Sequence, residues 1–209
     1  MALTFRSASG ANGGSSSASS FAITLPTGWA AGDLVVVGSS MSNAGTFSAV
    51  TGWTLDNQAQ NSGGTAFNSA TYYRIMQAGD TAPTIANSSA GKYTWVAAAF
   101  TPGAGETISL DVEAAVNVNT TAATAFTANA ATSADAGDLS LVWNLSRAAA
   151  KGATAVTATP PTGWTEPTNG DQSTAAGTTI TTSQVASELG YQTSGWHWEH
   201  RTGVIGYQF

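Results

Sequence analysis

Apolar and polar residues alternate at period two over Phe21-Ala-Ile-Thr-Leu25, and the run stops at Pro26. That is the signature of a strand with one covered face. Leu34-Val-Val-Val37 is unbroken instead, as expected of a strand covered on both faces. Further strands are predicted over Ala70 to Met76, Tyr93 to Phe100, Ile108 to Val112, Leu139 to Leu145, Ala155 to Thr159, Thr178 to Thr182 and Val204 to Phe209. Helical periodicity is nearly absent, with one weak hint of a helical turn over Gln184 to Leu189. The pattern predicts an all-β chain of many short strands joined by turns.

Two cycles run through that pattern. Gly32-Asp33-Leu34 opens the first continuous apolar run and recurs as Gly137-Asp138-Leu139, while Thr51-Gly52-Trp53-Thr54 recurs as Thr162-Gly163-Trp164-Thr165. Each cycle closes on an aromatic-rich strand, Lys92 to Phe100 and then His200 to Phe209. In Gly-Asp the glycine is free to take positive φ and the aspartate can accept from the turn's own amides. In Gly-Trp-Thr a flexible turn lets a large ring swing inward and plug one end of a sandwich. Burying such a ring stabilises by roughly 2–3 kcal/mol. Trp53 and Trp164 are therefore expected in the core rather than against a ligand.

The expected fold is a single antiparallel β-sandwich over residues 1–209, jelly-roll-like. It is built from two sequence-related halves at about 20–103 and 125–209, with a Ser/Gly-rich N-terminal segment at 7–20. Half the chain alone offers only four or five strands, so two halves sharing one interior are preferred. The expected core comprises Leu34, Val36, Trp53, Tyr73, Trp95, Leu139, Leu141, Trp164 and Val204.

Composition narrows the function classes. Charged residues are only 9% of the chain, against about 25% in typical soluble domains. A surface so poor in ions loses little hydration when it meets a neighbouring protein. The formal charge is −6, and Arg6, Arg74, Lys92, Arg147, Lys151 and Arg201 are widely spaced, which argues against nucleic acid as a partner. The chain has no cysteine, excluding disulfide and thiolate chemistry. Met1 to Ser20 lacks an apolar run and does not read as a secretory signal. No run of about 18 apolar residues predicts a membrane helix.

Candidate chemistry is sparse. The histidines are His197 and His200, in Trp196-His197-Trp198-Glu199-His200-Arg201. On a strand they would face opposite ways, so a shared metal is not expected. Trp196, Trp198 and His200 would share a face, either as core or as an interface or sugar-stacking surface. Asp111 with Glu113, and Asp135 with Asp138, are the carboxylate pairs. Glycosidase chemistry would need two acids facing each other across a cleft, which spacing alone does not establish. Gly-x-Ser-x-Gly, P-loop and dinucleotide fingerprints do not occur. No cofactor, metal site or catalytic residue is expected.

With these motifs in place, the chain resembles a family of phage and prophage virion structural proteins. The resemblance rests on Met1-Ala-Leu-Thr-Phe-Arg-Ser-Ala-Ser9, Phe21 to Pro26, Gly32 to Val37, Val50 to Leu55, Thr71 to Met76 and Tyr93 to Phe100. The second cycle adds Ala134 to Leu139 and Pro160 to Glu166. Thr51 departs from the Pro-Ala or Pro-Thr usual before the first Gly-Trp. The resemblance implies an antiparallel sandwich on a particle exterior: a head decoration or cement protein, or alternatively a tail, fibre or baseplate component that binds host glycans. It carries no catalytic residues. The implied location is the virion, assembled in the host cytoplasm. The implied partners are the major capsid protein or other virion proteins, with a homo-oligomer, a trimer, as the expected closed assembly.

Overall fold

The computed structural model describes residues 3–13, 16–61, 66–110, 112–114, 118–122, 139–148, 162, 164–169, 171–173, 184–192, 199–203 and 205–207. Among these residues every regular element is a strand: β1 (Thr4–Asn12), β2 (Ala18–Ala22), β3 (Leu34–Met41), β4 (Thr54–Asn61), β5 (Phe67–Ile75), β6 (Thr84–Gly91) and β7 (Tyr93–Thr101), then β8 (Val112–Ala114), β9 (Val118–Ala122), β10 (Ser140–Ala148), β11 (Asp171–Ser173), β12 (Gln184–Gln192), β13 (Glu199–Gly203) and β14 (Ile205–Tyr207). The all-β sandwich expected from the pattern is present.

The first sheet runs β1-β7-β3-β5-β4, antiparallel throughout. The second runs β11-β12-β10-β13-β8. Its β10–β12 and β11–β12 pairs are antiparallel, whereas β13 runs parallel to both β10 and β8. Two-stranded sheets β2-β6 and β14-β9 complete the set. The two Gly-Asp-Leu motifs lead into equivalent places, because β3 and β10 are each the middle strand of five.

The first sheet is covered on both faces. Leu34, Val36, Val96, Ala98 and Phe100 point one way and pack against Leu139, Leu141, Trp143, Leu145 and Leu189 of the second sheet. Val37, Met41, Ala70, Tyr72, Trp95 and Ala97 point the other way, under Phe21, Ile23, Phe47 and Ile85. All eight residues of β3 are consequently buried. An unbroken apolar run is the pattern that such a twice-covered strand requires.

Several elements differ from the sequence-based expectation. The Ser/Gly-rich segment at 7–20 holds most of β1 and the start of β2, and β1 is laddered to β7 from Thr4–Thr101 to Asn12–Thr94. Gln184–Gln192 is a strand rather than a helical turn, because it is laddered along its whole length to β10. The polar strands β4 and β6 carry too little alternation to be seen in sequence. The strands expected at Ala155 to Thr159 and Thr178 to Thr182 lie outside the described residues, as does Val204.

Candidate functional site

One end of the first sheet gathers turns whose construction is repeated. Ala31-Gly32-Asp33 precedes β3 and Ala78-Gly79-Asp80 follows β5. Both glycines have positive φ, 94° at Gly32 and 85° at Gly79, where a Cβ would be strained. In the first turn the Ala30 N–H donates to Asp33 Oδ2 at 2.8 Å and Asp33 N–H returns to Ala30 O at 3.1 Å. In the second, Gln77 N–H donates to Asp80 Oδ2 at 2.7 Å and Asp80 N–H returns to Gln77 O at 3.1 Å. Each aspartate thus closes its own turn three residues back.

Each is also gripped by an arginine. Arg6 reaches Asp33 with Nε–Oδ2 at 2.8 Å and Nη2–Oδ1 at 3.2 Å. Arg74 meets Asp80 in a two-pronged pair, with Nε–Oδ2 and Nη2–Oδ1 both at 2.6 Å. The Arg74 guanidinium and the Gln77 amide hold the Asp80 carboxyl below the usual carboxylate range. Arg74 Nη1 also donates to Gly52 O, so one side chain ties the Gln77–Asp80 turn to the Gly-Trp-Thr turn. Gly52 has φ 78°, and a Cβ there would fall 2.2 Å from Arg74 Nη1. The positive φ is what calls for glycine at 52, since the tip of the arginine side chain can shift aside.

Trp53, the ring that this turn delivers, is half-buried. It packs beside Leu25 and Trp29 on Val35, Met76 and Ala99 at the end of the sheet, and also on the neighbouring cluster around Phe21 and Tyr72. The sequence predicts an enclosed ring; at the sheet's end Trp53 instead borders two clusters and stays half-covered. Trp164 is half-buried as well, and Tyr73 lies partly covered against the intersheet core. Leu34, Val36, Trp95, Leu139 and Leu141 are buried.

At the opposite end of the first sheet an asparagine cluster holds the 43–46 loop to β5 and β6. Asn68 Nδ2 donates to Asn43 Oδ1 at 2.5 Å and to Gly45 O at 2.6 Å. Asn87 Nδ2 donates to Asn68 Oδ1 at 3.3 Å, and Asn43 Nδ2 to Ser89 O at 2.7 Å. All three asparagines are buried. Sequence reading passed over them because Asn usually signals an exposed turn, and only the neighbouring buried strands supply their partners.

Trp196, Trp198 and His197 lie outside the described residues, as do Asp111, Asp135 and Asp138. His200 falls in β13, its backbone opposite Leu141 on β10 and Glu113 on β8. Among the described residues no group of three or more His, Asp or Glu is placed to hold a metal ion, and no helix is long and apolar enough to cross a membrane. The carboxylates of Asp33 and Asp80 are committed to turns and arginines. What this end presents is a braced surface of turns with two half-covered indoles. Comparison of the chain with protein-family models, curated proteins and solved structures found no match.

Proposed function

We propose that this chain is a non-catalytic structural protein of a bacteriophage virion, a decoration or cement protein on the outer surface of the head, assembled there as a closed homo-oligomer, a trimer. The observation that carries the reading is the first sheet, covered on both faces, with its end turns clasped by Arg6–Asp33 and Arg74–Asp80. Such a body resists deformation while offering a surface poor in charge, which loses little hydration against a capsid lattice. The Gly-Asp-Leu and Gly-Trp-Thr cycles support the same reading through the virion family they resemble.

The test is to band particles of the phage or prophage that encodes the chain and quantify it by mass spectrometry, with immunogold labelling to locate it. Labelled heads and a copy number comparable to that of the major capsid protein are expected. Absence from banded particles overturns the proposal.

A second reading, a tail or baseplate component that binds host glycans, draws on Trp29 and Trp53. These half-covered indoles, packed with Leu25 on Val35, Met76 and Ala99, resemble the stacking surfaces on which sugars settle. Label confined to tails, with tryptophan fluorescence quenched by host glycans, favours it. A polysaccharide-cleaving enzyme is disfavoured; an acid scan over Asp111, Glu113, Asp135 and Asp138 is expected to find no turnover in any variant.

A further inference from the structure

Two asparagines in the chain are followed directly by glycine, Asn12 and Asn169. Glycine has no Cβ to obstruct its own nitrogen, so in this dipeptide the following backbone nitrogen attacks the asparagine side chain most readily. Sequence therefore marks both positions equally as labile. The structure separates them.

Asn12 is the last residue of β1, laddered opposite Thr94. The Gly13 nitrogen, the nucleophile at that position, is held in a hydrogen bond to Tyr93 O at 3.0 Å. The Tyr93 ring lies against Gly13 as well, 2.6 Å from where a Cβ would stand. Attack at Asn12 must first break the hydrogen bond and peel the strand end away. Asn169 instead sits in an exposed turn ahead of β11, at φ 67°.

We propose that Asn169 is a site of spontaneous deamidation and that the β1 ladder shields Asn12, a property that goes beyond the structural role above. The Gly170 nitrogen gives up its proton and bonds to Asn169 Cγ. The Cγ–Nδ2 bond breaks, and ammonia leaves with the proton. Water then opens the cyclic imide at one carbonyl or the other, giving aspartate or isoaspartate, with no change of oxidation state.

The position gives the change a mechanical consequence. The Asn169 carbonyl oxygen lies 2.9 Å, and Gln172 Cγ 2.7 Å, from where a Cβ on Gly10 would stand. This turn therefore rests on β1, at the joint between an edge strand of the first sheet and β11, an edge strand of the second. Isoaspartate routes the main chain through the side-chain carbon and lengthens it at that joint, and either product adds a negative charge.

The test is to hold the full-length protein at mildly alkaline pH, native and in urea, and follow amide-to-acid conversion by peptide mapping. In the native sample Asn169 is expected to convert about two- to tenfold faster than Asn12, the range that loss of one ladder hydrogen bond corresponds to. In urea the two rates should converge, and G170A should slow conversion at Asn169 while leaving Asn12 unchanged. Equal native rates, faster conversion at Asn12, or no native conversion at Asn169 would overturn the proposal. So would a native ratio that persists in urea, since it would place the cause in sequence neighbours rather than in the fold.

Discussion

Gly38 ends the Leu34–Val37 run at the point where Trp143 of the second sheet comes to rest. A Cβ on Gly38 would stand 2.5 Å from the Trp143 ring, closer than real contacts allow. Trp143 itself is 0% exposed. Gly38→Ala should cost about 1–3 kcal/mol through overpacking, and Trp143→Ala about 3–5 kcal/mol through the cavity it leaves. Trp53→Ala should cost less than Trp143→Ala, because its ring is only half-covered. Equilibrium denaturation in urea measures all three, and a Trp53 loss equal to the Trp143 loss would mean that ring is enclosed after all. A glycine interrupting a buried strand does mark a close approach, and alternation along Leu139 to Leu145 does put Trp143 on the Leu139–Leu141 face. Neither signal names the other residue, since about a hundred positions separate them and only the folded layers bring them together.

At the scale of elements, the turn clasps and the asparagine cluster set the sheet's ends. Asp80 gains its arginine and its turn amide on folding, which lowers its carboxyl affinity for protons in the folded state. The stability this contributes is present above the unfolded aspartate value, about 3.9, and is lost as pH falls through the lower folded value. Asp80→Asn should lower the melting temperature at neutral pH and reduce its dependence on pH between neutrality and strong acid. An unchanged pH profile would show that the pair contributes nothing. Asn68→Ala strips partners from Asn43, Gly45 and Asn87 at once and should cost about 1–3 kcal/mol by leaving buried polar groups unsatisfied, read from the same denaturation curves. The role of Asp33 was legible in Gly32-Asp33-Leu34. That of Asp80 was equally present in Ala78-Gly79-Asp80 but went unread, because no apolar run follows it. Arg6 was not legible as a partner, since it lies 27 residues from Asp33 in sequence.

For the whole molecule, the all-β class followed from the many short strand patterns and the near absence of helical periodicity, and the central places of β3 and β10 from the two Gly-Asp-Leu runs. The strand directions did not. β7 runs antiparallel to β3, whereas β13 runs parallel to β10, so the two closing strands take different courses beside equivalent centres. Short motifs constrain turns and burial but carry no information on the course of the connections between them. Nor was the second cover on the first sheet assignable, because an unbroken apolar run says that both faces are buried and not by what. Packing assigns one face to the Phe21–Ile85 cluster and the other to the second sheet. Amide hydrogen exchange across β3, in the native protein and in Trp143→Ala, tests that assignment most directly. β3 and β7 should exchange most slowly in the native chain, and the substitution should accelerate β3 well before it changes edge strand β4. Native β3 amides exchanging as fast as those of β4, or a β3 indifferent to loss of Trp143, would contradict it.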